Sequence, residues 1–319
     1  MLPFTISIAP DQEEKAVADA YGLFATNAVG VAGFTILVWD HVITFGDEVT
    51  VIWKRRKRNK NGPYIYLFLF LRYFAPMAYT VQLCSYFIRP DIWTPDICKH
   101  YLAFEGAVVV VILGVVGLMM MVRHVQVLLS FVDRHSSNPD SVYAMYDRSR
   151  KVVIGLGALY VVQFIIQGWL QTGSRPVHHT PGTAVAGCSM LFDKTFGTWQ
   201  TAAAWMPMVY DTAVFVLTLH KTVCILRHYP SPGTRIARIL LRDGALYYLA
   251  IVASNIPLIV MLVAAPEGIR NIAAQLASLI TTTMMSRITL SLRRKDSVWQ
   301  VGSLHTDDDI SPRLHGSSA

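Results

Sequence analysis

Charge is scarce in this chain of 319 residues: only 15% are Asp, Glu, Lys or Arg, while 53% are hydrophobic. Soluble domains carry about 25% charged residues. The polar groups needed to cover a water-facing surface are missing, so a polytopic membrane protein is the expected class. The mean hydropathy of +0.40 agrees. Other absences narrow the field. The first 20 residues hold Asp11, Glu13, Glu14 and Asp19 but no apolar core of a cleavable signal, so the first apolar run is expected to direct insertion. No Asn-x-Ser/Thr sequon occurs, and N-glycosylation is not expected. Neither of the last two apolar runs contains a lysine, which excludes a retinal Schiff base. A Gly-x-Ser-x-Gly elbow and a His-x-x-x-His pair with a helical carboxylate are both absent, which leaves serine and zinc hydrolases without support. No catalytic residue and no cofactor is predicted.

Seven long apolar runs are present, at 21–45, 64–88, 101–122, 152–170, 198–219, 245–265 and 269–290. Each approaches the roughly 20 helical residues that cross a bilayer. In lipid the backbone must satisfy itself within a helix or a closed barrel, and these continuous runs lack a barrel's alternation. The expected fold is all-α: a seven-helix membrane domain over 21–292, after a short outer segment 1–20 and before a disordered cytoplasmic tail over 293–319. Of the 28 Lys and Arg, 21 fall in the first, third and fifth loops and the C-terminal end, counted from Arg287. Six lie in the N-terminal segment and the other loops, and Arg72 lies inside the second run. The positive-inside rule then predicts an outer N-terminus and a cytoplasmic C-terminus. Because the cations alternate with apolar runs, the net charge of +7 does not indicate nucleic acid. The expected partners are membrane lipids, with anionic lipid or a cytoplasmic protein at the basic inner loops.

There are four cysteines. Cys98 and Cys188 are both expected on the outer side, where a disulfide persists; two free thiols are the alternative. This pair also favours the plasma membrane over internal membranes. Cys84 reads as a small buried residue within the second helix. His220, Cys224 and His228 share a helix face at i, i+4 and i+8, yet Lys221 and Arg227 flank them and no acid is near. That reads as a cationic helix end, and no metal site is predicted. His178 and His179 are expected in an outer loop.

Ionisable groups inside a membrane are costly, so each is a functional candidate. They are Asp40, Arg72, Glu105, Asp211 and Asp243. Arg72 and Asp243 sit near inner helix ends, where snorkelling or an ion pair accounts for them. Glu105 is near the outer surface and Asp211 is deepest, so these two are the predicted ligand pocket. The stretch "WDHVITFGDEVTVIWKRRKR" places acids just before a burst of cations. In one register Asp40 and His41 lie at the inner headgroups and 42–53 continue into the cytoplasm, with no buried charge. In the other, Trp53 is the interface anchor and the acids are in the membrane. The first is preferred. In both, Asp40, Thr44, Asp47 and Val51 share a face. Asp40, Thr44, Asp47, Glu48, Arg72 and Asp243 are the predicted structural polar lock at the inner mouth of the bundle.

Seven helices, an outer N-terminus and an outer cysteine pair resemble the architecture of G-protein-coupled receptors. The motifs of that superfamily are poorly matched: the third run ends "MMMVRHV", "DRS" at 147–149 is displaced, and the last run lacks Asn-Pro followed by Tyr. A closer likeness lies in the first-helix block, with "LRYFAPM", "CKHYLAFEG", "VYAMYDRSRKV", "YDTAVFVLTLHKT" and "LLRDGALYYLAI" following in order. Together they resemble a fungal family of seven-helix membrane proteins, abundant in mushroom-forming basidiomycetes and defined only as a domain of unknown function. The likeness covers about 20–295. It implies a membrane protein with seven helices and supplies no activity and no site residues. It also implies that "HVQVLLSFVDRHSSNPDS", residues 124–141, is inserted relative to the family. Either an unspliced intron in the gene model or a longer loop, with 125–131 prolonging the third helix, fits that departure. The functional expectation is a receptor-like protein whose outer pocket holds an unknown ligand. A transporter or channel using Asp211 is the second expectation, and a membrane enzyme the third.

Overall fold

The computed structural model describes residues 10–54, 63–89, 92–134, 139–176, 188, 190–192, 199–228, 234–265, 269 and 272–310, with only the backbone described in several of these, including 127–134, 139–149, 234–243 and 295–310. Seven long helices occur among the described residues: α1 Pro10–Glu48, α2 Pro63–Ser85, α3 Pro95–Arg134, α4 Pro139–Thr172, α5 Ala202–His228, α6 Thr234–Ala264 and α7 Ile272–Ile310. Four of them begin at a proline, whose missing N–H costs nothing at the first helical position. The start of α3 is also capped. The Thr94 hydroxyl accepts from the Ile97 N–H at 3.4 Å, and Asp96 places negative charge in the first turn.

Burial differs from that of a soluble protein at both its surface and its core. Phe24, Trp39, Met77, Ile154, Ile165 and Val263 face outward, while Asp40, Glu48, Arg72, Gln163, Gln167 and Asp211 are buried. Lipid is as apolar as a protein core, so this arrangement leaves no apolar surface in water. Among the described residues, five helices are long and apolar enough to cross a membrane, over Glu13–Trp53, Tyr64–Ser85, Pro95–Gln126, Arg150–Thr172 and Trp199–His220. A shorter apolar stretch, Tyr248–Ala264, lies in α6. In α7 hydroxyl side chains share the buried face with apolar ones. Thr281, Thr282 and Thr283 donate to carbonyls one turn back at 2.8, 2.9 and 2.8 Å, so these hydroxyls need no other partner.

The largest core cluster joins α1, α2, α3 and α7 through Leu37, Phe68, Tyr79, Ile112, Met119 and Met285. The aromatic ring of Tyr160 on α4 lies against α3 where glycine permits it. A Cβ at Gly117 would stand 2.9 Å from that ring, and the Tyr160 hydroxyl donates to the Gly114 carbonyl at 2.9 Å.

Several expectations need correction. The first helix begins at Pro10, not Tyr21, and continues past Glu48 as a single π turn, Val49–Trp53. The backbone expected to be disordered from 293 is helical as far as Ile310. The fold is not wholly helical: Ser174–Pro176 pairs antiparallel with Met190–Phe192. Cys84 is exposed on the outer face of α2 rather than buried, an orientation that a weakly polar thiol tolerates against lipid. The α3 backbone runs on to Arg134, through part of the segment read as an insertion. His178 and His179 lie outside the described residues, as do the side chains of Cys224, His228 and Asp243; His220 is exposed.

Candidate functional site

A cavity of about 150 Å³ lies among the helices, and all seven contribute to its lining. Glu105 of α3 and Asp211 of α5 both face it, so the two residues read as a pocket do share one. On α3 the lining positions Tyr101, Glu105, Val109 and Leu113 recur every fourth residue, one face of the helix. On α4 the lining face is a ladder of amides, Gln163, Gln167 and Gln171, at the same spacing. Gln82 of α2 and Gln275 of α7 add two more amides, joined at 3.4 Å.

Local chemistry fixes part of this wall. Pro207 lies inside α5 and has no N–H, which frees the carbonyl four residues earlier, that of Ala203. Gln167 donates to this carbonyl at 2.8 Å, so an amide from α4 replaces the missing helical bond. Tyr86 donates to the amide oxygen of Gln275, and Tyr79 donates to Ser278 at 2.6 Å, which ties α2 to α7 along the cavity. At one end stand Trp93 and Tyr101, edge to face at 5.2 Å. There Cys98 is disulfide-bonded to Cys188 with a Cα–Cα distance of 5.6 Å. The bridge ties α3 to the chain leading into the second strand, and Met190 of that strand packs with Leu102, Leu170 and Met206.

The opposite half of the bundle holds a buried ion-pair network. Arg72 donates from Nε to Glu48 at 2.6 Å, and the side chains are 2% and 0% exposed. Its remaining nitrogens reach Ser286 at 2.9 Å, Thr44 at 2.7 Å and the His41 carbonyl at 3.3 Å. Glu48 also accepts from Tyr73 at 2.7 Å and from the Trp53 indole at 2.9 Å. The indole is five residues along, a separation that the π turn brings onto one face. Asp40 pairs with Arg287 and Asp47 with Arg294, the latter at 3.5 Å and largely exposed.

These contacts refine the reading of the first helix. The register preferred for needing no buried charge does not avoid one: Asp40, Glu48 and Arg72 are all buried among helices. Arg72 takes Glu48 and Thr44 rather than Asp40. Asp40 takes Arg287, a residue counted in the sequence with the cytoplasmic end. Sequence reasoning missed Arg287, Ser286, Tyr73 and the glutamine ladder. For the ladder a signal existed, because Gln163, Gln167 and Gln171 are spaced by four.

A smaller cavity of about 50 Å³ is lined by Arg123, His124, Thr218, Thr222 and Tyr248 among others. Tyr210 is fully buried and donates to the Gly117 carbonyl at 2.9 Å. No group of three or more His, Cys, Asp or Glu suited to a metal occurs among the described residues.

No curated protein matches the chain. Residues 28–77, the segment that supplies Asp40, Thr44, Glu48, Trp53, Arg72 and Tyr73 to the buried network, match the model of a family described as a family of unknown function, DUF6533.

Proposed function

We propose that this is a non-enzymatic, receptor-like membrane protein of the fungal seven-helix type. In this reading all seven helices cross the membrane, with the N-terminus outside and the C-terminus in the cytoplasm, and the plasma membrane is its place. A ligand enters the central cavity from the disulfide end. The basic loops at the other end meet anionic lipid or a cytoplasmic partner. One observation carries the reading: a cavity lined by all seven described helices, with two carboxylates and several amides set among apolar side chains, in a bundle whose outer face is apolar. Convergent polar groups in a concave, preformed site are the usual mark of small-molecule binding.

A transporter is the second reading. It is favoured by the polar stripe of Gln163, Gln167 and Gln171 and by the presence of a second, smaller cavity whose lining includes Arg123, His124 and Thr218. Site-directed labelling separates the two. Val109→Cys, in a chain with Cys84 and Cys224 replaced by Ala, puts one thiol on the cavity wall. A membrane-impermeant thiol reagent is expected to label it in sealed vesicles from the disulfide side alone. Labelling from both sides would establish alternating access and overturn the receptor reading.

A further inference from the structure

We propose that the central cavity takes an elongated organic cation with amino groups near both ends. This deepens the ligand-binding reading and rests on it. The first argument is the sign of what is unmatched. Glu105 and Asp211 have no hydrogen-bond or ion-pair partner among the described residues, and no Lys, Arg or His among them lines the cavity. Gln163 is 5% exposed, and its Oε1 is buried without a partner; so is Oε1 of Gln171. All four unmatched groups are acceptors. An ammonium only donates, with up to three N–H groups, whereas an anion would meet two carboxylates and no cationic side chain among the described lining residues. A buried carboxyl that keeps its charge needs a partner of opposite charge, and no described residue of the lining supplies one.

The second argument is length. Glu105 and Gly117 are twelve residues apart on α3. Tyr210, the neighbour of Asp211, reaches the Gly117 carbonyl, so Asp211 stands at about the level of Gly117. At 1.5 Å per residue the two carboxylates are separated by about 15–20 Å along the bundle. One small monoamine cannot meet both. The glutamine ladder of α4 covers the interval between them with neutral hydrogen-bonding groups, which suit a chain bearing further N–H donors.

The third argument is the lining at the Glu105 end. Tyr79, Tyr86, Trp93 and Tyr101 all face the cavity there, and Glu105 is within electrostatic reach of the three tyrosines. Aromatic rings attract cations through their negative faces. A carboxylate with aromatics around it is a binding arrangement for an ammonium group, and Asp211 offers a second seat further along the cavity.

Isothermal titration of the full chain in neutral-lipid nanodiscs tests this, with spermine, putrescine and a neutral polyether diol of spermine's length as probes. Spermine is expected to bind at least about tenfold more tightly than putrescine, with the diol weaker than either. Glu105→Gln and Asp211→Asn should each weaken spermine by about tenfold to a hundredfold, the usual range for one charge-assisted contact. The wild-type probe series needs no variant, so a misfolded substitution does not blunt the test. A diol that binds as tightly as spermine, or spermine affinity unchanged in both variants, would overturn the cation while leaving the cavity a ligand site. Spermine that does not bind would also overturn it, and the Val109→Cys labelling would then stand or fall separately.

Discussion

At the scale of single residues, the buried pair of Glu48 and Arg72 makes the sharpest prediction. Removing one partner of a buried pair leaves a charge with nothing to neutralise it, which costs about 3–5 kcal/mol. Glu48→Gln and Arg72→Met should therefore each lower the thermal unfolding midpoint of the purified protein steeply. The double variant removes both charges, and its loss should be smaller than the sum of the two; additive losses would show that the pair is not coupled. Asp40→Asn should destabilise less, because its partner Arg287 is 42% exposed and keeps access to other groups. The sequence showed which residues were out of place, since charges inside apolar runs are conspicuous. It did not show their pairing. Glu48 meets Arg72 across 24 positions and Asp40 meets Arg287 across 247, and such separations leave no local pattern. Cys84 was misplaced for a related reason: in a helix that faces lipid, an apolar residue gains no signal for pointing inward.

At the scale of elements, helix identity was legible and helix extent was not. Apolar runs marked the lipid-facing parts, but α1, α3 and α7 continue beyond them with mixed sequences that hydropathy reads as loop. Prolines at 10, 63, 95 and 139 marked four of the starts more closely than hydropathy did. The π turn at Val49–Trp53 was invisible, because it depends on Glu48 and Trp53 finding each other. Two element-level substitutions are informative. Gly117→Val should push α4 away from α3, since its first carbon would already crowd the Tyr160 ring; overpacking of this kind costs about 1–3 kcal/mol. A drop in unfolding midpoint measures it, and an unchanged midpoint would show that the ring can swing aside. Gln167→Leu should destabilise by about 1–3 kcal/mol, the cost of an orphaned buried carbonyl at Ala203. Gln167→Leu combined with Pro207→Ala should recover most of that loss by restoring the helical N–H, and an equal loss in the double variant would rule out this role for Gln167.

For the whole molecule, the governing fact is that large apolar side chains face outward while several charged and amide groups are buried within an apolar core. Composition alone announced this, because so few charges cannot clothe a water-soluble surface. The cavity itself was only half legible. Glu105 and Asp211 stood out one at a time, whereas the amides of α2, α4 and α7 acquire meaning only when the helices are assembled around a common axis. The disulfide sets a further global expectation. Closing a loop of 90 positions restricts the unfolded chain, and Cys98→Ser should cost about 2–5 kcal/mol, read as a lower unfolding midpoint that reducing agent reproduces in the unaltered protein.

The bond from Gln167 to the Ala203 carbonyl has a consequence of its own. The Gln167 amide carries two N–H groups, and only one of them is committed to that carbonyl. The same side chain thus completes the hydrogen bonding of α5 and lines the chamber, so a substitution there acts on helix packing and on the chamber together.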